Sequence, residues 1–214
     1  MLLEKAAPDH PTGEGRPDGP APRGEVLALL AVALRPPADP GSLPAALEGL
    51  LDRLGPGEPR RSIEEAARRA HDVPLGREYH RLFLGPAKPV APPFESVYRD
   101  GRLEGPATAA FRRELRLAGV EPPKDLGHPP DHVALEIECL ALLEARALEA
   151  RRAGRREEAE RWSVQARRLV DRHLALWLSP FLARLEAAAP ESPYTHLVRA
   201  TALVVGVPLR REAG

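Results

Sequence analysis

The chain has 214 residues and a mass of 23.3 kDa, and its 31 Lys and Arg balance its 31 Asp and Glu. A neutral total with a pI near 7.1 argues against a nucleic-acid binder held by a uniformly basic face, and 43% hydrophobic residues suffice for a sizeable core. The single cysteine, Cys139, excludes an intramolecular disulfide framework and a Cys-rich zinc module, which favours a reducing compartment, the cytoplasm.

No apolar run approaches the ~20 residues needed to cross a bilayer, and the first 24 residues lack the apolar stretch of a secretory signal. Neither export nor stable membrane insertion is expected. The basic residues are Arg apart from Lys5, Lys88 and Lys124, there is no Asn, and Gln165 is the one Gln. Such a composition suits a protein that works hot.

In chain order, residues 1–24 hold Pro8, Pro11, Pro17, Pro20 and Pro22 with few large apolar groups, which predicts a disordered tail. From Glu25 the texture turns Leu- and Ala-rich, with Ile63 and Ile137 the only isoleucines, a mix that favours helices over strands. The expectation is an all-α domain over 25–210, a bundle of about ten helices in two closely packed lobes, about 25–120 and 131–210, joined by a proline-rich hinge at 121–130. Ser62 with Glu65 reads as a capping box that opens a helix running to about His71. Pro106 opens another that stops at Gly119. Between them, the proline- and glycine-punctuated run from Gly85 to Pro93 predicts a non-helical crossing.

Asp131 stands where an N-cap belongs, before the apolar run Val133 to Leu143, whose helix is apolar on most sides and should be central. Val170, Leu174, Trp177, Phe181 and Leu185 form a buried stripe, within which Ser179-Pro180 either kinks the helix or starts a new one. The last helix starts at Ser192-Pro193 and ends before Gly206, with Tyr194, Leu197, Val198, Ala202 and Val205 inward.

Nucleotide-binding loops, nucleophile elbows, His-Glu-x-x-His and Cys-x-x-Cys are all absent, so no catalyst is advertised. One metal candidate exists: His128, Asp131, His132 and Glu136, with the last two sharing a helix face, which would suit a metal-dependent hydrolase. The competing reading makes Asp131 a cap and the others ordinary polar contacts. Cys139, mid-helix among Ile137, Leu140 and Leu142, reads as a small apolar side chain. Two proline-rich segments followed by acidic and aromatic residues, Pro92 to Tyr98 and His128 to His132, would make an acidic, apolar cleft for a basic, apolar peptide if they meet. Otherwise the prolines merely shape connections.

Three runs carry a family resemblance: Glu78-Tyr79-His80-Arg81-Leu82-Phe83-Leu84-Gly85-Pro86, Pro92-Pro93-Phe94-Glu95-Ser96-Val97-Tyr98, and Pro130-Asp131-His132-Val133-Ala134-Leu135-Glu136. With His173-Leu174, Trp177, Phe181 and Pro193-Tyr194, in this order and over roughly Glu25 to Gly206, the chain resembles the TorD/DmsD family of redox-enzyme maturation chaperones, related to NarJ. The resemblance implies an all-helical, non-catalytic cytoplasmic chaperone without a cofactor of its own. Its partners would be the twin-arginine signal peptide and the catalytic subunit of a molybdoenzyme precursor, which it holds back from export until the molybdenum cofactor is inserted. It also implies a peptide-binding set of Tyr79, Leu82, Phe83, Pro93, Phe94, Glu95, Ser96, Tyr98, Gly105, Asp131 and His132. Glu95 stands where some relatives carry Gly, and Tyr79 where some carry Trp.

A twin-arginine leader offers two guanidinium groups and an apolar segment, so Asp131 or Glu95 would read the arginines while Leu82, Phe83 and Phe94 hold the apolar part. A guanine-nucleotide switch ranks last, for want of a phosphate cradle. A NarJ-like role, on a membrane-anchored reductase that is not exported, stays open. So does oligomeric state: a monomer, or a dimer that exchanges lobes about the hinge.

Overall fold

The structure is a computed structural model that describes residues 21–85, 89–122 and 126–209. The helices are α1 (Arg23–Ala33), α2 (Ser42–Arg53), α3 (Glu58–Ala70), α4 (Leu75–Tyr79), α5 (Glu95–Arg99), α6 (Pro106–Leu117), α7 (Val133–Arg152), α8 (Arg156–Leu169), α9 (Ala175–Ala188) and α10 (Pro193–Val205). Two π-helical turns, His80–Leu84 and Val170–Leu174, extend α4 and join α8 to α9. The fold is all-α: no strand occurs among the described residues, and Phe94 and His132 form one isolated bridge. No described helix is long and apolar enough to cross a membrane.

Every residue of α7 from Val133 to Leu143 is buried, as its apolar surround predicts, and α1 packs along it. Gly24 permits that approach, since a Cβ there would sit 3.3 Å from the Ala141 carbonyl oxygen. α3 pairs with α10 and α5 with α9, so helices from both sides of the 121–130 segment share one core. Trp177, Phe181, Leu185, Tyr194 and Leu197 are all buried in it. Each such side chain contributes about 1.5–3 kcal/mol by leaving water.

Several boundaries depart from expectation. Residues 1–20 of the expected tail lie outside the described residues, but its last residues are built into the fold. α1 begins at Arg23, whose guanidinium donates to the carbonyls of Val204 and Val205 at 3.2 and 3.0 Å and pairs with Glu144 at 2.6 Å. A cation placed on the last carbonyls of α10 satisfies acceptors that the helix leaves open. α3 starts at Glu58, ahead of the Ser62 box, because Pro59 suits a first turn and Gly57 supplies the turn at φ 149°. Ser62 is then buried inside the helix, and Glu65 turns to Arg69. Pro180 lies inside α9, so Ser179 caps no new helix; the irregularity falls earlier, in the π-helical turn that carries His173.

Candidate functional site

The π-helical turn after α4 sets the site's first wall. Its extra residue per turn carries Leu82 and Phe83 inward, and the chain then reverses so that Ala91 N–H donates to the Leu82 carbonyl at 2.8 Å. The extended piece Pro93–Glu95 lies against Asp131–Val133 through two backbone hydrogen bonds, Glu95 N–H to the Asp131 carbonyl at 3.0 Å and Val133 N–H to the Pro93 carbonyl at 2.9 Å. The two proline-rich segments therefore do meet.

Asp131 does not cap α7. That cap is His132, whose Nδ1 accepts the Ala134 N–H at 3.1 Å. Asp131 reaches instead to α5 and α6: Oδ2 accepts the Ser96 N–H at 2.8 Å and Oδ1 accepts the Thr108 hydroxyl at 2.9 Å. Both oxygens are engaged by uncharged donors and the residue has no exposed surface, so Asp131, unlike Glu95, holds no guanidinium in this structure. The competition is local geometry: Pro130 and the Phe94–His132 bridge turn the carboxylate toward a free helix N-terminus one segment away.

Because His132 Nδ1 accepts, the neutral ring carries its proton on Nε2, which faces the Tyr79 hydroxyl at 3.4 Å. Burial, with His128 and Arg35 nearby, pushes the His132 pKa down to about 3. Phe94 packs edge-on against His132, and the His128 ring lies tilted against both. Tyr79, Phe83 and Tyr194 form a second aromatic cluster, which Phe83 and Phe181 join to Tyr98 and Trp177. Gly105 adjoins Asp100, whose carboxylate accepts the Ala107 N–H at 2.8 Å and so caps α6.

The whole implied set, from Tyr79 to His132, thus forms one connected cluster. It is also an interior: all members are buried except Tyr98, which is half-buried. A cavity of about 510 Å³ opens beside the His128 ring, lined by Leu103, Glu104, Arg112, Leu126 and Pro130. A larger groove of about 1450 Å³ between α3, α9 and the end of α10 touches none of the set.

Beneath the cluster lies an acid network. Glu95 is fully buried; its Oε2 meets His173 Nδ1 at 2.8 Å, and its Oε1 accepts from Arg99 Nη1 at 2.5 Å. Glu136, also fully buried, accepts the Trp177 indole N–H at 3.0 Å and lies beside Glu95. Burial, then the neighbouring Glu95, holds the Glu136 carboxyl well above the usual carboxylate range. Resemblance marks His173, Trp177 and Phe181; it does not mark Arg99 or Thr108, since a single Arg or Thr on a helix face gives no signal until its partner is placed.

The alternative set of His128, Asp131, His132 and Glu136 does not converge. His128 Nδ1 bonds to its neighbour's carbonyl at Pro129, while the other three serve the separate partners given above. Among the described residues no group of three or more His, Cys, Asp or Glu could hold a metal ion. Cys139 is buried and free, with its thiol pushed up to about 12 by burial, an inert packing group.

The helical arrangement is shared with a crystal structure of a candidate redox enzyme maturation protein from Archaeoglobus fulgidus. That comparison has a TM-score of 0.57 and 18% identity, and covers 93% of this chain and 99% of the other. It defines the class of fold. The chain belongs to the nitrate reductase delta subunit family, which it matches over residues 37–183. It is similar to the chaperone protein TorD of Vibrio cholerae serotype O1 strain O395, 30% identical over 145 residues and 64% of each chain. It also matches a selenate reductase assembly chaperone protein of Thauera selenatis, 48% identical over 58 residues, 27% of this chain and 29% of the other. The match spans 64% of the length of the Vibrio protein.

Proposed function

We propose that this chain is a non-catalytic cytoplasmic chaperone for a molybdopterin oxidoreductase precursor. It binds the precursor's twin-arginine signal peptide and assists cofactor insertion and assembly before export. Similarity to proteins named as chaperones of TorD type and of selenate reductase assembly supports the role.

The observation that carries the peptide reading is Glu95. It is a fully buried carboxylate held between His173 and the guanidinium of Arg99, at the edge of an aromatic cluster that includes Tyr98 and Trp177. A shielded carboxylate binds a guanidinium by a charge-assisted contact of about 1.5–3 kcal/mol, and an ammonium lacks the planar fork. In this reading Glu95 takes the role that had been divided between it and Asp131. Leu82, Phe83 and Phe94 receive the apolar segment when the bridge between Pro93–Glu95 and Asp131–Val133 parts. Tyr79, Pro93, Ser96, Gly105, Asp131 and His132 hold that bridge in place when the site is empty.

Fluorescence titration with a labelled twin-arginine leader and its Lys-Lys variant tests this. The twin-arginine peptide binds saturably and the Lys-Lys peptide about tenfold or more weaker, a difference of one charge-assisted contact. Equal affinities, or none, would overturn the peptide reading.

A further inference from the structure

The two oxygens of Glu95 are not in equivalent surroundings. Oε2 faces inward to His173, which is 2% exposed. Oε1 faces Arg99, whose side chain keeps 32% of its surface. The same Arg99 nitrogen, Nη1, also donates to the backbone carbonyl of Arg172 at 3.1 Å. One planar nitrogen thus spends both its hydrogens on two acceptors from different elements, a carboxylate on α5 and a carbonyl in the π-helical turn before α9.

The Arg172 carbonyl belongs to that turn. A π-helical segment shifts its hydrogen bonds by one residue, so a carbonyl within it can turn outward to a side-chain donor. Arg99 reaches the pair from the last position of the five-residue α5, held by the i,i+4 spacing to Glu95. The surroundings are also rich in carboxyl groups, since the fully buried Asp131 and Glu136 adjoin Glu95.

We infer that Glu95 Oε1 and the Arg172 carbonyl form a guanidinium subsite, filled in the free protein by Arg99, and that an arginine of a bound peptide enters by displacing Arg99. The source of that peptide rests on the function proposed above; the subsite does not. Arg99 is a stand-in for the ligand, and free protein holds the site closed against cations that lack the fork.

The test uses the full chain carrying Arg99→Ala or Arg99→Lys, with methylguanidinium and methylammonium chlorides as probes at matched ionic strength. Arg99→Ala melts below wild type. Methylguanidinium, on the order of ten millimolar as befits a single-ion contact, restores part of the loss saturably; methylammonium does not, and wild type responds to neither. Equal shifts from both salts, or none, overturn the subsite. Should Arg99→Ala fail to fold, refolding yields with the two salts decide: recovery with methylguanidinium alone supports the subsite and no difference overturns it. Arg99→Lys keeps the charge yet gains from methylguanidinium too, and a lysine variant that behaves as wild type counts against guanidinium selectivity.

Displacement has its own readout. The twin-arginine leader binds Arg99→Ala about tenfold tighter than wild type, while the Lys-Lys leader gains nothing. A leader that binds both proteins equally overturns displacement. A wild type that binds no leader removes the proposed function, and the salt rescue still decides the subsite.

Discussion

Asp131 caps a helix it does not precede: its Oδ2 accepts the Ser96 N–H at 2.8 Å, from 35 positions along the chain. The second oxygen takes the Thr108 hydroxyl, so one buried side chain ties the starts of α5 and α6 to the entry of α7. The consequence for substitution is specific. In Asp131→Asn the amide oxygen keeps the Ser96 bond and the NH₂ group donates to Thr108, whose hydroxyl can reverse its role. Asp131→Asn costs about 1 kcal/mol or less and Asp131→Ala about 2–3 kcal/mol, because only the second strands two buried donors. Urea unfolding of both variants measures the difference. Equal losses would show that charge, and not hydrogen bonding, holds the segment.

Gly105 has an ordinary φ of −87°, so its requirement is space and not backbone freedom. A Cβ there would fall 2.3 Å from Asp100 Oδ2, the oxygen that caps α6 through Ala107. Gly105→Ala must therefore push Asp100 off its cap, at about 1–3 kcal/mol. The double variant with Asp100→Gly should cost less than the sum of the two single changes, since the clash and the cap involve the same Asp100 side chain, Cβ included. Additive losses would refute the shared cause.

His132 contributes a pH dependence of known sign. Its folded pKa, about 3, lies below the 6.5 of an exposed histidine, so the unfolded chain binds the proton first as pH falls. The contribution is present above about 6.5 and is lost as pH falls from there toward 3, by at most about 1.4 kcal/mol per pH unit. His132→Asn keeps a helix cap and removes the titration. Stability of that variant should fall less steeply between pH 6.5 and 4.5 than that of wild type. Parallel slopes would show that other groups govern the acid limb.

Glu136 acts in the opposite direction. Its folded pKa is raised, so its favourable contribution is complete below the ordinary carboxylate pKa of 4.5 and is lost as pH rises through the folded value. Glu136→Gln mimics the protonated acid: the amide oxygen accepts from Trp177, and the NH₂ group donates toward Glu95. Glu136→Gln should match wild type near pH 5 and exceed it at pH 8, as read by denaturant midpoints and Trp fluorescence. A variant that loses stability uniformly across that range would place the negative charge on Glu136.

How far these relationships could be read from the chain alone depends on their reach. Helix type, the buried stripe from Leu174 through Trp177 and Phe181 to Leu185, and the glycine stops at Gly119 and Gly206 rest on local spacing and backbone preference, and they hold, although Val170 at the start of the stripe is half-buried. The cap of α7 failed because Asp131 and His132 are both competent acceptors, and a bond to Ser96 decided between them. Ser62 failed likewise, outcompeted by Gly57 and Pro59 upstream. Resemblance located the cluster from Tyr79 to His132, but residue type cannot tell a groove wall from a keystone. The subsite at Glu95 joins α5 to a π-helical turn 73 residues away through Arg99, and no short-range pattern announces such a turn.

In the proposed function Glu95 is the group that distinguishes arginine from lysine. The most direct test is the ratio of affinities for the twin-arginine and Lys-Lys leaders, measured by calorimetric titration for wild type and for Glu95→Gln. Wild type should prefer the twin-arginine peptide about tenfold or more, and Glu95→Gln should bind both alike and weakly. A Glu95→Gln protein that folds as wild type and retains the full preference would remove Glu95 from arginine recognition.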